Sequence, residues 1–394
     1  MGLVFIYGIF LCTYLYDVLF KPAQCGTGVG DYEMKFFGKL FGVLGSVVLL
    51  VGVFSGCGMT SLEDKLIQRT IEQRMSNVPD DLFVDDALRV VLCGSAAPMP
   101  IRERAAACVM VIAGGKFYMV DTGNRSTNNL GLWRIPARNV GGVLLTHFHS
   151  DHVGDLGEFN MMTWAQGRKA PLNVYGPEGV KRVVSGFTEA YALDSVYRTA
   201  HHGEDYLNPT IGKMIANEIA MEGESAVVLD DGNLKITMFA VNHEPIHPAV
   251  GYRFDYKGRS VVISGDTTKI ENTIRFSKNA DVLFHEVLAR HIVKQMENEA
   301  GKQGNDQIRK IMFDIQDYHT SPVEAAEVAN EANVKELVLY HLVPAPPNKI
   351  AEWVFMRGVK KVRSEGIMLG DDGLTLTLPI GSDEIYKESL KDRE

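Results

Sequence analysis

Cysteine is scarce. Five residues in a chain of 394 cannot staple it, which excludes a disulfide-built scaffold. An excess of basic charge is also missing: 40 lysines and arginines stand against 49 acidic residues, for a net charge of -9. A protein that grips nucleic acid mainly through its phosphates has the opposite balance, so that class of partner is disfavoured, although a local basic groove is still allowed. The 38 glycines and 15 prolines are ordinary usage beside 46% hydrophobic and 23% charged residues. Collagen-like and wholly disordered readings drop out. The length allows one large domain or two ordinary ones.

The long apolar runs lie at the N-terminus. Residues 3–20 contain Asp17 and are followed by Lys21, whereas residues 40–54 (LFGVLGSVVLLVGVF) are preceded by Lys35 and Lys39 and followed by Ser55, Gly56 and Cys57. Fifteen residues rise only about 22 Å as a helix, short of a bilayer core. The basic front and the apolar stretch fit a secretory signal, and the ending at 54–57 resembles a bacterial lipoprotein box with Cys57 as the lipidated residue. Met34 is then the natural start. The expectation is a membrane-targeting or signal-anchor region over 1–57, hence an exported, membrane-associated protein, with two transmembrane helices as the competing reading. Three acids and three bases precede Cys57, so the whole -9 sits downstream. Residues 58–86 read as a helical spacer, charged over 61–77 and ended by Pro79, Asp80 and Asp81.

From Leu88 onward short β-runs alternate with helical stretches. Strands are predicted over 88–93, 108–113, 117–120, 143–146, 172–175, 234–240, 249–256, 260–264, 281–285, 337–340 and 374–378. Helices are predicted over 152–166, 179–192, 322–332 and 351–362. The third has the clearest start: Ser321 caps it, Pro322 opens it and Glu324 completes a capping box. Residues 194–224 show no clean period and read as a functional loop or lid. Clusters of strands with helices after them, in two comparable halves, suggest an α/β domain over 87–380, two sheets face to face with helices outside. A polar tail over 381–394 would follow.

The chemistry concentrates after the 143–146 strand, where the chain reads Thr146-His147-Phe148-His149-Ser150-Asp151-His152. At a strand end alternate residues point the same way, so His147 and His149 address one point. Asp151 and His152, in the turn that follows, address a second. Three more candidates each follow an apolar run: His243, Asp266 and His341. Five histidines and two aspartates make two sites of three or four ligands with one carboxylate shared. Imidazole and carboxylate without thiolate suit two Zn²⁺, with Mn²⁺ or Fe²⁺ as alternatives. His247 competes with His243 as ligand, His201 and His202 sit in the unpatterned stretch as a gate or a solvated turn, and Asp121 is expected to brace the metal-binding loop. Cys93 and Cys108 read as strand residues packed in the core.

These residues carry a resemblance. The H-x-H-x-D-H pattern at 147–152, Asp121, Ser264-Gly265-Asp266-Thr267 and the late His341 resemble the metallo-β-lactamase superfamily over about residues 88–378. His285-Glu286 and Tyr318-His319-Thr320-Ser321 are similar to its branch holding tRNase Z, phosphodiesterases and arylsulfatases. The resemblance implies a four-layer αββα sandwich. It implies that His147, His149 and His243 bind one metal, that Asp151, His152 and His341 bind a second, and that Asp266 bridges them. Asp151 doubles as a proton acceptor. His285 is the expected proton donor to the leaving oxygen, oriented by Glu286 or His319, with support of ligand carboxylates as the pair's competing role.

Two divalent ions, two ligand aspartates and a hydroxide leave a net charge of about +1, which attracts a small anionic ester. The expected function is hydrolysis of phosphodiester or aryl sulfate esters. A true β-lactamase is disfavoured because Asp266 stands where the commonest class has cysteine. A ribonuclease Z-type, tRNA-processing enzyme is the alternative. Against it stand the acidic charge, the expected export, and the 11 residues between Gly251-Tyr252-Arg253 and Gly265-Asp266-Thr267, where such enzymes generally carry a long insertion. A degenerate binding module is set aside because all seven ligands are present, and a homodimer is an open expectation.

Overall fold

The computed structural model of the protein describes residues 59–76 and 81–393. The expected signal-anchor region lies outside the described residues. Among the described residues no helix is long and apolar enough to cross a membrane. The helix Met59–Ser76 belongs to a first unit, and the second unit spans Asn77–Glu394. Leu62, Leu66, Ile67 and Ile71 of that helix are exposed.

Fifteen strands of the second unit form two mixed sheets. In chain order they are β1 (Ala87–Gly94), β2 (Cys108–Ala113), β3 (Lys116–Val120), β4 (Val140–Leu144), β5 (Leu172–Gly176), β6 (Met214–Glu218), β7 (Ser225–Asp230) and β8 (Leu234–Ala240). There follow β9 (Val250–Tyr256), β10 (Arg259–Ile263), β11 (Val282–Leu288), β12 (Glu336–Val343), β13 (Ile367–Leu369), β14 (Leu374–Pro379) and β15 (Tyr386–Ser389). One sheet has the order β15-β14-β1-β2-β3-β4-β5-β6 and the other β13-β12-β11-β10-β9-β8-β7. Strands β3 to β6 run parallel in the first, and β10 to β13 in the second.

Strand alternation builds the layers. Leu88, Val90 and Leu92 of β1 enter a core shared with Phe254, Val261 and Phe284 of the other sheet. The intervening Val91 and Cys93 face a second core with Phe159, Val180 and Val184 from helices. Leu283 and Val287 of β11 face a third, against Ala325, Val328 and Ala329 of the helix Pro322–Glu331. Both faces of the central strands are covered, which is why they are apolar almost throughout. Each predicted strand overlaps an observed one, whereas β6, β7, β13 and β15 were not predicted, and the capping box at Ser321 and Glu324 is formed.

Several expectations are corrected. The 194–224 stretch holds the helix Ala192–His202 and then β6, an ordered pair of elements where a lid was expected. The 381–394 tail carries β15, paired with β14. The helix expected over 351–362 is interrupted by Gly358, whose φ of 87° belongs to the left-handed region. Two helices were not anticipated, Arg290–Lys302 and Asp306–Asp314. Their signal was present: Val293, Met296 and Ala300 recur at helical spacing, and Asn305 caps the second by accepting from the Ile308 amide. Cys93 and Cys108 face each other across β1 and β2 and are joined as a disulfide, Cα to Cα 5.0 Å.

Candidate metal centre

The site lies where the C-terminal ends of the parallel strands of both sheets meet. The Val250 amide donates to the Thr146 carbonyl at 3.0 Å, and the Leu342 amide to the Ser95 carbonyl at 3.0 Å, which ties the two sheet ends together. After β4 the chain is extended through His149 and then turns into the short helix Ser150–Val153, so the histidine pair and the Asp151–His152 pair come from two backbone conformations. His341 sits inside β12 at a bulge: Tyr340 pairs with Glu286 and Leu342 with Val287, leaving His341 unpaired with a φ of 46°. A bulge re-aims the extra side chain, here toward the other ligands.

All seven candidate ligands converge. His147, His149, His243 and Asp266 each place one ligand atom within 4.8 Å of the others, and Asp151, His152 and His341 form a second such group. Asp266 lies between them: its Oδ2 is 3.9 Å from His147 Nε2, 3.8 Å from His243 Nε2, and 3.4 Å from both His152 Nε2 and His341 Nε2. Asp151 Oδ2 is 3.2 Å from His341 Nε2 and 3.5 Å from His152 Nε2.

Supporting bonds orient the imidazoles. His243 Nδ1 donates to the Tyr318 carbonyl at 3.0 Å, turning Nε2 inward. His152 Nδ1 donates to Asp121 Oδ2 at 2.8 Å, with the same result. Asp121 also accepts from the amide and the hydroxyl of Thr146, each at 2.8 Å, so one carboxylate fixes both the loop and a ring. Such partners set the tautomer of a metal-binding histidine.

A cation fits this cluster. His152 Nε2, His243 Nε2 and Asp266 Oδ1 are buried without any hydrogen-bond partner, which costs about 1–3 kcal/mol apiece unless something fills the space between them. Burial pushes His147 well below the usual imidazole range and His243 below it too, leaving both neutral and able to donate a lone pair. Burial opposes charge on Asp151 and Asp266 as well. The surrounding imidazoles outweigh it, holding Asp151 at about 2 and Asp266 well below the carboxylate range. Burial opposes charge on His152 too, but Asp266, Asp151 and Asp121 outweigh it and raise that ring well above the usual range, so an ion bound there displaces its proton. Imidazoles with ionised carboxylates are the donor set for zinc and its neighbours.

The four expected catalytic residues separate. Asp151 is in the cluster. Glu286 Oε1 accepts from the Thr267 and Thr320 amides at 3.2 and 3.0 Å, and its Oε2 is 3.1 Å from His319 Nδ1. Burial opposes charge on His319, but Glu286 outweighs it and raises the group above the usual range. His319 also offers a ligand atom within 4.8 Å of those of Asp266 and His341. His285 is elsewhere. Consecutive strand residues face opposite ways, so with Glu286 at the site His285 shares the side of Leu283, under the Pro322–Glu331 helix. Its Nδ1 donates to the Glu286 carbonyl at 2.8 Å, and its position does not suit proton donation to a substrate.

His247 is exposed and 3.8 Å from Glu244, outside both groups. His201 and His202 end an exposed helix and join no ligand group among the described residues. Tyr318, whose carbonyl orients His243, stands in the sequence reading only as part of the Tyr318-His319-Thr320-Ser321 motif, with no role of its own, because a backbone acceptor leaves no residue-type signal.

Comparison with known proteins identifies the family. Residues 119–342 match the Beta-lactamase superfamily domain. The Ribonuclease Z of Mycobacterium bovis (strain BCG / Pasteur 1173P2) is 33% identical over 270 residues, 68% of this chain and 90% of that protein. That of Mycolicibacterium gilvum (strain PYR-GCK) is 31% identical over 289 residues, 72% and 94% of the two chains. The metallo-beta-lactamase fold protein YhfI from Bacillus subtilis and the short form of human tRNase Z superpose with a TM-score of 0.54 at 20% identity. In both cases the match covers 74% of this chain and all of the other, which establishes a shared fold.

Proposed function

The chain belongs to the metallo-β-lactamase superfamily, and within it we propose a metal-dependent phosphodiester hydrolase of the ribonuclease Z type. The observation that carries the proposal is the pair of ligand groups joined at Asp266 Oδ2, in a chain about one-third identical to proteins named ribonuclease Z over nine-tenths of their length. Two zinc ions are the proposed occupants, His147, His149 and His243 holding one, Asp151, His152 and His341 the other, with Asp266 shared. When bound, such a pair lowers the pKa of water and polarises the phosphoryl group.

The protein's own groups do the rest. Two divalent charges against the two ligand aspartates leave the site cationic, which draws in a phosphodiester anion. His319, raised and oriented by Glu286, donates its Nε2 proton to the leaving oxygen as the phosphorus–oxygen bond to it breaks and the bond to the water oxygen forms. Asp151 accepts the proton released by that water. The aryl sulfate reading loses ground because the sequence relatives point to phosphodiesters.

A second reading, hydrolysis of small phosphodiesters outside the cytoplasm, is favoured by the Cys93–Cys108 disulfide, since such bonds persist in oxidising compartments. It agrees with the proposed export and membrane association through residues 1–57. The two-residue turn Lys257–Gly258 between β9 and β10 also leaves no room for an RNA-gripping arm there. One panel on the full chain, with and without chelator, separates the readings: a precursor tRNA, bis(p-nitrophenyl) phosphate, p-nitrophenyl sulfate and a cephalosporin. Chelator-sensitive cutting of the tRNA supports the first reading, and cutting of the small diester alone supports the second. Activity on neither overturns both.

A further inference from the structure

The ligand cluster opens into a cavity of about 320 Å³ whose two sides differ in kind. One side is His149, Asp151, Asp266, His319 and His341. The rest is mainly apolar: Pro98, Met99 and Pro100 from the loop between β1 and β2, and Ile311, Met312 and Ile315 at the end of the Asp306–Asp314 helix, with Val343 and Tyr318 completing it. The lining contains no lysine or arginine. Surfaces that follow a nucleic-acid backbone use such cations at every phosphate, so this wall addresses a part of the substrate without charge.

The wall is built to hold its shape. The Cys93–Cys108 disulfide ties the two ends of the loop. Arg125 reaches across it and donates to the carbonyls of Ile101, Arg102 and Arg104, while Arg104 donates to Ser95 Oγ and the Gly370 carbonyl. Loop and helix pack into one small core, in which Ala97 and Met99 meet Met312, Ile315 and Val293. A preformed apolar surface binds without an ordering cost.

Size and chemistry narrow the guest. A cavity of roughly 150 Å³ holds one benzene ring, so the space of about 320 Å³ beside the ligand cluster has room for a single ring next to the reacting group. Methionine sulfur makes favourable contacts with aromatic rings, and Met99 and Met312 both line the wall. We propose that the cavity is the subsite for one flat aromatic or heteroaromatic group carried by the scissile phosphodiester. That group is an unstacked nucleobase in a nucleic acid or an aryl ring in a small diester. The proposal rests on the phosphodiesterase reading and names the substituent that this site selects.

The test measures binding to the metal-loaded full chain by calorimetry, apart from any turnover. Phenylphosphonate is compared with methylphosphonate, and adenosine 5'-monophosphate with ribose 5-phosphate. Each ring-bearing member of a pair should bind about tenfold or more tightly, the scale expected for burying one ring. A preference in the first pair alone identifies an aryl source, and one in the second pair alone or in both identifies a nucleobase. Ile311→Gln, at a half-exposed position, and Met99→Gln should each weaken the ring-bearing probes several-fold more than their ringless partners, and Ile311→Leu should restore the difference. Equal affinities within both pairs, or a preference that survives both glutamine variants, overturn the subsite while leaving diester hydrolysis standing. Failure of all four probes to bind, together with no diester cleavage, overturns the parent reading and the subsite with it.

Discussion

Asp121 and His152 are bonded at 2.8 Å, and that one contact decides which nitrogen of His152 faces the ligand cluster. Asp121 itself reaches no ligand group and is buried behind the loop it holds. Asp121→Asn should therefore lower metal affinity by about 10–100-fold while leaving the fold in place, the usual effect of removing an orienting carboxylate. Competition against a chelator of known affinity reads this directly. Unchanged affinity would mean that His152 is positioned by something else.

Asp266 is the group common to both ligand sets. Asp266→Ala should abolish activity and strip both ions together, checked by metal analysis of the purified variant. Two ions retained per chain would contradict the shared role.

His319 and His285 make opposite predictions. His319→Ala should reduce kcat by about 10²–10⁴-fold with metal content and KM little changed, because a proton donor acts in the transition state. Glu286→Gln should move the alkaline limb of the kcat–pH profile, where the His319 proton is lost, to lower pH, because the carboxylate that raises that ring is gone. His285→Gln should stay within a few-fold of the parent. A large loss of kcat in His285→Gln with normal metal content would reverse the assignment.

Glu324 links stability to pH. Burial pushes its carboxyl up, but bonds from the Ser321 amide and the ion pair with Arg290 outweigh that and hold it below its ordinary value of 4.5. A depressed folded-state pKa means stability that is fully present above the unfolded value and lost as pH falls through the folded one. Glu324→Gln should thus cost about 1 kcal/mol at pH 7 and little once the pH lies below both values. Urea unfolding at the two pH values measures it, and an equal cost at both would exclude the ionic part. Arg290 also donates to the His319 carbonyl at 2.8 Å, so the variant should loosen the segment that carries His319 as well.

The Cys93–Cys108 bond closes a loop with a sequence separation of 15. Its removal in Cys93→Ser should cost about 3 kcal/mol by chain entropy. Thermal unfolding of oxidised and reduced protein provides the measurement, and identical midpoints would show that the bond does not constrain the chain.

Much of the fold and of the site is legible in the sequence. The strands around the site could be read because each is a short apolar run ending at a polar residue. The Pro322–Glu331 helix could be read because a capping box is a local pattern. The two helices after β11 were equally local and were passed over, since their apolar positions are spread among charged residues. The disulfide escaped because two cysteines 15 positions apart gain a meaning only when β1 and β2 pair and the register shift between Leu92 and Gly94 sets Cys93 beside Cys108. His285 looked the better donor because adjacent residues share a motif, and only strand alternation separates it from Glu286.

By itself the sequence determined which side chains are candidates for the chemistry. Four of the seven ligands stand within six residues, and a strand end followed by a helix start aims them without outside help. Only the tertiary structure brings His243, Asp266 and His341 to them, places His319 and Glu286 beside the cluster with His285 on the other face of β11, and sets an apolar wall against it. Contacts between residues far apart in the chain depend on register, bulge and packing, and none of these has a local spelling.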